Sequence, residues 1–257
     1  VSSLLVFKIN CLLLYYDAHK LLFLTRDFSF GKQKMAAFGE IPNVHVSSHP
    51  LIGHKMTFLR DAKTEPHEFR RILKELTFFI GVDATKNLRT KDVAVTTPME
   101  VVCQSPKIAD DVAIIPVLRS GLAMADGMLE LIPTASVHHI GMYRAKDSTL
   151  PVQYYNRLPR DESCDVAYVV DPCIASSNTL NAIVSILKKW GARKIVVIAA
   201  VGSREGVARL SEKHPDIEIH IAAVDEQLSA AGMIIPGIGD SGDRAFGTPA
   251  DNKKRKV

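Results

Sequence analysis

From His49 onward the chain alternates between two kinds of segment, and this alternation restricts the fold more than any other feature. Short apolar runs stand at Ala113–Leu118 (AIIPVL), Val166–Val170 (VAYVV), Lys194–Val201 and Ile217–Val224. Between them lie Leu122–Leu131, Thr179–Trp190 and Glu205–His214, whose apolar residues recur at helical spacing. Glu68–Ile80 has the same helical period, and Val137–Tyr143 and Val152–Tyr155 are further strand candidates around a polar connection, Arg144–Thr149. A strand that is apolar throughout is buried on both faces, which is the habit of parallel sheets. The expected class is therefore α/β, a largely parallel twisted sheet flanked by helices. Gly191 directly follows the helix Thr179–Trp190, where a left-handed glycine caps a helix end.

In sheets of this kind ligands bind beyond the carboxyl ends of the strands. The run Val166–Val170 ends in Asp171-Pro172-Cys173-Ile174-Ala175-Ser176-Ser177-Asn178-Thr179, and a helix follows. A helix N-terminus carries unpaired N–H groups and partial positive charge, a natural seat for phosphate. Ser176, Ser177, Asn178 and Thr179 add side-chain donors, and Asp171 is placed to accept hydrogen bonds from sugar hydroxyls. The same loop also serves as a plain strand-to-helix joint with Ser or Asn as N-cap. Arg119 follows Ala113–Leu118, and a guanidinium at a strand end suits a pyrophosphate because its planar fork pairs with phosphate oxygens. Arg144 ends another strand candidate; both arginines are equally compatible with surface ion pairs. Gly232–Gly247 holds five glycines, a density that lets backbone approach a ligand closely or simply forms a surface turn.

The formal net charge is +4, with 32 basic and 28 acidic residues, too mild to imply nucleic-acid binding. The four cysteines, Cys11, Cys103, Cys164 and Cys173, have neither metal-ligand spacing nor the density of a disulfide framework, so reduced thiols in a cytoplasmic protein are expected. Residues 1–42 read as an N-terminal extension outside the fold, with the first methionine at Met35. A targeting presequence, an ordinary extension and translated upstream sequence all fit it. Lys8, Asp17, Lys20 and Arg26 interrupt its apolar runs, so the stretch of about 20 apolar residues that a membrane span needs is missing. Residues 250–257 form a basic tail, in which Lys253-Lys254-Arg255-Lys256-Val257 resembles a nuclear localisation signal or is only a solvated terminus.

The motifs taken together resemble one family. Tyr168-Val169-Val170-Asp171-Pro172 with its small-polar loop is similar to the 5-phosphoribosyl-1-pyrophosphate (PRPP) motif of type I phosphoribosyltransferases, in the Asp-Pro form of the uracil branch. His45–Lys55 (HVSSHPLIGHK), Pro116–Leu122 (PVLRSGL), Gly141-Met142-Tyr143-Arg144 and Ile234–Arg244 (IIPGIGDSGDR) match further signatures in family order, within a domain spanning 43–249. The resemblance implies transfer of phosphoribosyl from PRPP to uracil, giving UMP and pyrophosphate, and a hood or lid built from terminal segments. It implies PRPP contacts at Arg119, Arg144, Asp171–Thr179 and Asp240, and uracil contacts at Ile234, Gly239, Asp240 and Ser241, with catalysis by Asp240, Arg119 and Arg144. It further implies Mg2+ with PRPP, a homodimer or homotetramer, GTP activation in some members, and no membrane or nucleic-acid partner. Cys173 reads as a packing residue where the family has methionine.

One departure stands out. The family's Ala-Thr-Gly-Gly-Ser is here Ala175-Ser176-Ser177-Asn178-Thr179. Asn178 suits a left-handed conformation, whereas Ser177, if its site needs positive φ, costs about 1–2 kcal/mol. Met233 and Ala245 also differ from the family's habit. The alternative function is thus a phosphoribosyltransferase-like binding or regulatory homologue with weak or no catalysis. A third, the same fold acting on another base, is opposed by the intact Ile234–Arg244 segment.

Overall fold

In the computed structural model, which describes residues 41–144 and 151–248, the apolar runs become neighbours in one sheet. The N-terminal extension through residue 40, the connection after Arg144 up to residue 150, the side chain of Arg144 and the tail Lys253–Val257 lie outside the described residues. The elements begin with β1 (Val44–Val46), α1 (Pro50–Arg60), α2 (Pro66–Thr85), β2 (Thr90–Thr96) and β3 (Val102–Ile108). Then come β4 (Val112–Leu118), α3 (Leu122–Leu131), β5 (Ser136–Val137), β6 (Ile140–Arg144) and β7 (Pro151–Asn156). β8 (Val166–Val170), β9 (Cys173–Ile174), α4 (Asn178–Trp190), β10 (Lys194–Ser203), α5 (Arg204–Lys213) and β11 (Glu218–Asp225) follow. The last are β12 (Gln227–Leu228), β13 (Ile234–Ile235) and α6 (Ser241–Phe246).

The strand order is β1-β11-β10-β8-β4-β6-β7, with β5 on β4 and β9 on β10. Every pairing is parallel except β6 with the edge strand β7. β8 is buried at all its positions and β4 at all but Leu118, as their unbroken apolar sequences require. The strand expected over Val137–Tyr143 is instead two pieces, β5 and β6, in one register against β4. The break at His138–His139 falls opposite Ile115–Pro116, and Pro116 has no N–H to give to a ladder.

The helix expected over Glu68–Ile80 runs on to Thr85, through Gly81. A Cβ on Gly81 would lie 2.5 Å from Leu131 Cδ1, and one on Gly127 would lie 2.5 Å from the Lys74 carbonyl. The two glycines let α2 and α3 pack at close range, so Gly81 serves packing and does not end the helix. The helix before Gly191 begins at Asn178 and ends as expected, with Gly191 left-handed at φ 101°. The β2–β3 hairpin is not legible in the sequence. Its residues are almost all exposed, so no buried face imposes an alternation on them.

The C-terminal stretch is tied to α1. Arg60 forms a two-pronged pair with Asp225 at 2.7 and 2.8 Å, and Arg244 Nη1 donates to the Leu59 and Ile238 carbonyls at 2.6 and 2.7 Å. Arg244 also stacks on the Phe69 ring, 4.4 Å from its centroid. Terminal segments are in this way clamped to each other beside the sheet.

Candidate active site

β4 finds its next parallel partner, β6, on one side, while β8 finds β10 on the other. The direction of winding reverses between them, and a crevice opens beyond their carboxyl ends. A cleft of about 690 Å³ lies there. Its walls are Val117–Ser120 at the end of β4, Asp171, Cys173, Ala175 and Thr179 beyond β8, and Gly232, Met233 and Gly239–Gly242 from the C-terminal stretch.

The turn after β4 is packed hard onto β8. A Cβ on Gly121 would lie 2.3 Å from the Val170 carbonyl, and Gly121 N–H donates to the Val117 carbonyl at 2.8 Å. The Leu118–Arg119 peptide is cis. The half-exposed Arg119 guanidinium reaches Asp243 Oδ1 at 3.1 Å and Thr248 Oγ1 at 3.4 Å, and that hydroxyl donates to the same Asp243 oxygen at 2.5 Å. Arg119 is thus aimed from the strand-end turn toward the C-terminal stretch.

Asp171 is buried at the end of β8, and Ser120 Oγ donates to its Oδ1 at 3.0 Å. Burial pushes its carboxyl up to about 7, while the Ser120 hydroxyl and the Cys173 backbone N–H pull it back. The residues after it divide into anchors and cleft walls. The Pro172 carbonyl accepts from Ala200 and Val201 N–H at 3.1 and 3.0 Å, and Cys173–Ile174 pair with Val201–Gly202. Ile174 is fully buried. The Ala175 carbonyl accepts from Ser203 Oγ at 2.6 Å and sits where a Cβ on Gly206 would be 1.9 Å away. The Ser176 carbonyl accepts from Arg209 at 3.3 Å. Pro172, Ile174 and Ser176 thus anchor the loop, and they, Ser177 and Asn178 are not among the residues lining the cleft, whereas Cys173, Ala175 and Thr179 are.

Ser177 occupies the left-handed conformation, φ 61°, ψ −2°. Asn178, which the sequence suggested for such a conformation, is instead the first residue of α4. The demand for positive φ falls one residue earlier, on the side chain less suited to it.

In the C-terminal stretch Asp240 caps α6, its Oδ1 accepting from Asp243 N–H at 2.9 Å. Gly237 and Gly239 have φ 59° and 74°. A Cβ on Gly237 would lie 2.2 Å from the Ile234 carbonyl. Ile234 itself is buried and does not line the cleft; Gly239, Asp240 and Ser241 do. The Ser241 hydroxyl meets the Cys173 thiol, which burial and the neighbouring Asp171 push up to about 12, so Cys173 stays a thiol and joins the two loops by packing.

Arg144 ends β6, at the cleft's rim by its backbone position. Its neighbours Met142 and Tyr143, with Tyr154 of β7, form a wall that sequence reasoning did not single out. The Tyr143 and Tyr154 rings lie 6.1 Å apart, and the Tyr154 ring covers Gly141, whose Cβ would meet it at 2.5 Å. Tyr143 belongs to the Gly141–Arg144 motif and Tyr154 to the strand candidate Val152–Tyr155, and only the antiparallel pairing of β6 with β7 brings them together.

The cleft offers two carboxylates, Asp171 and Asp240, a donor set that fits Mg2+ bound with substrate phosphates. A second group of metal-capable side chains, His45, Glu218 and His220, has ligand atoms within 4.8 Å of one another on β1 and β11, at the other flank of the sheet. Lys194 already holds Glu218 Oε1 at 2.7 Å, and Lys86 lines the same small cavity. Asp83 lines that cavity as well, and the Lys194 ammonium already occupies one Glu218 oxygen.

Compared with known proteins, residues 46–248 match the family model described as uracil phosphoribosyltransferase. A uracil phosphoribosyltransferase of Dictyoglomus turgidum is 46% identical over 205 residues, 80% of this chain and 99% of that protein. Its counterpart from Dictyoglomus thermophilum is 47% identical over 207 residues, again 80% of this chain and 99% of that one. A solved structure of an Aquifex aeolicus protein superimposes with a TM-score of 0.75 at 32% identity, covering 79% of this chain and 97% of that chain.

Proposed function

The chain belongs to the uracil phosphoribosyltransferase family, and we propose that its cleft at the β4–β8 reversal joins uracil to PRPP, giving UMP and pyrophosphate. The observation that carries this reading is the convergence of Arg119, Asp171 and the Gly239–Ser241 backbone on one cleft. Each group suits one part of the reaction. A uracil ring nitrogen attacks the anomeric carbon as the bond to pyrophosphate breaks, and negative charge grows on the leaving group. Arg119 and Arg144 supply positive charge where it grows. Asp171 accepts hydrogen bonds from the ribose hydroxyls, held by Ser120. The backbone N–H and C=O groups of Gly239–Ser241 read the alternating carbonyl and N–H edge of uracil. Asp240 orients the base or takes its proton. Tyr143 and Tyr154 offer aromatic faces at the rim.

Asp171 and Asp240 are the residues that would hold Mg2+ with PRPP. When bound, the ion neutralises pyrophosphate charge. A homodimer or homotetramer is part of the same reading. It is supported by the β2–β3 hairpin, where Met99, Val101 and Val102 are 82%, 60% and 63% exposed. A cytoplasmic location and a GTP effector complete it. No helix among the described residues is long and apolar enough to cross a membrane.

Labelled uracil incubated with PRPP and Mg2+ is expected to yield labelled UMP. Magnesium-dependent PRPP binding without UMP would select the second reading, a binding homologue. That reading rests on Ser177 and Asn178 standing where the family has two glycines.

A further inference from the structure

The left-handed residue at the start of α4 carries a side chain, and its fate decides what the loop can hold. Among the described residues Ser177 and Glu100 alone have positive φ without being glycine. Ser177 stands at the N-cap position, yet it makes no side-chain cap bond. A capping serine has extended backbone and accepts from the helix's own N–H groups. Ser177 is left-handed instead, and its hydroxyl does not occupy those N–H groups. The side chain points inward: Ser177 is 4% exposed, and it does not line the cleft although Ala175 and Thr179 on either side do.

What holds it there is Asn181, one helical turn on. Asn181 Nδ2 donates to Ser177 Oγ at 3.0 Å, and Asn181 N–H donates to the Ser177 carbonyl at 2.8 Å. Asn181 is itself 6% exposed on the buried stripe of α4, among Leu180, Ile183, Val184 and Leu187. Its Oδ1 has no partner among the described residues. An unsatisfied amide oxygen in an apolar stripe is unfavourable, and an aliphatic side chain would suit the position better. Among the described residues the amide has one use, its grip on Ser177.

We infer that Asn181 is a positioning residue for PRPP. Its amide pins the Ser177 side chain away from the cleft, so that a residue with a Cβ holds the left-handed turn and the phosphate-facing backbone keeps the room that a glycine would give. The inference rests on the proposed reading of the Asp171–Thr179 loop as the PRPP site. Its consequence is that Ser177 and Asn181 form one unit. With glycine at 177 there is no side chain to hold, and Asn181 becomes dispensable for binding.

The test is a double-mutant cycle read by calorimetric binding of PRPP with Mg2+ and by KM for PRPP, with circular dichroism as the check on folding. Asn181→Leu is expected to weaken PRPP binding about three- to tenfold, the worth of one such hydrogen bond. Ser177→Ala removes the same bond, keeps the Cβ and is expected to match it; it decides the matter alone if Asn181→Leu does not fold. On a Ser177→Gly background Asn181→Leu is expected to change binding less than about twofold. An equal loss in both backgrounds makes Asn181 merely structural and overturns the inference, as does unchanged binding in Asn181→Leu or Ser177→Ala. If folded wild type and folded Ser177→Gly both fail to bind PRPP, the reading of the loop falls instead, and the inference with it.

Discussion

The two halves of the cleft are built on different terms. The half proposed for PRPP stands on the ends of two buried parallel strands, β4 and β8, where Gly121, Gly206 and the Pro172 carbonyl fix the loops against neighbouring backbone. The half proposed for uracil comes from the C-terminal stretch and the β6–β7 edge. There Met233 and Tyr154 are 39% and 53% exposed, and order depends on Arg60, Arg244 and Asp240 making long-range or capping bonds. On the proposed reading the PRPP half is the more firmly seated one, and the more exposed uracil half lends it Arg144 and Asp240. A pyrophosphate needs donors that do not reorganise as charge develops; a flat neutral ring needs a surface that closes over it.

The comparison breaks first at Arg119. Arg119→Ala is expected to lower kcat/KM for PRPP by a factor on the order of 10²–10³ with the fold intact, the usual loss for one donor to a developing anion. Unchanged steady-state kinetics would remove Arg119 from the rigid half. Arg144→Ala acts in the same direction.

Base choice sharpens the other half. An amino group in place of a carbonyl leaves a polar group unpaired, a penalty of about 1–3 kcal/mol. Uracil is therefore expected to be preferred to cytosine by a factor of roughly 5–150 in kcat/KM. Equal use of cytosine or of purines would overturn the assigned substrate.

Asp171 ties rigidity to pH. Its carboxyl is raised by burial to about 7, so the free protein binds a proton there that the unfolded chain releases near the ordinary carboxylate range. This stabilisation is full below about pH 4 and is lost as pH rises through about 7. Urea midpoints of the ligand-free protein followed from pH 4 to 8 are expected to show this component, and Asp171→Asn to lack it. PRPP with Mg2+ favours the charged form. Calorimetry at pH 6 in buffers of different ionisation enthalpy is expected to record release of up to about one proton, and little at pH 8. Equal release at both pH values would place the proton elsewhere.

The smallest effect is expected at Asp243, which steadies Arg119 from the adjustable side at 3.1 Å. Asp243→Asn leaves the guanidinium in place and is expected to change kcat/KM for PRPP less than tenfold, since an exposed ion pair contributes about 0–1 kcal/mol. A loss as large as that of Arg119→Ala would show that the two halves are mechanically one.

The same contrast explains what the sequence revealed. β4, α3, β8 and the Gly191 cap stand almost where apolar runs and helical spacing put them, because β4 and β8 are buried, α3 buries one face, and each pattern, the exposed Gly191 cap included, is local. The polar residues following β4 and β8 were legible for the same reason: they interrupt a run that has to end at the sheet's rim. Asp243 and Thr248 were not, because their tie to Arg119 spans more than a hundred residues of chain. Nor was Tyr154, which meets Tyr143 only through the antiparallel turn-back of β7. Asn181 read as one polar residue within an amphipathic helix, and its bond to Ser177 depends on a left-handed turn that spacing alone does not disclose.

PRPP is proposed to lie across the ends of β4 and β8. A crystal structure of the protein with PRPP and Mg2+ tests it most directly. The expected result is pyrophosphate oxygens within hydrogen-bond distance of Arg119, ribose hydroxyls on Asp171, and the 5-phosphate against the N-terminus of α4. PRPP bound elsewhere, or bound with its pyrophosphate out of reach of Arg119, would contradict it.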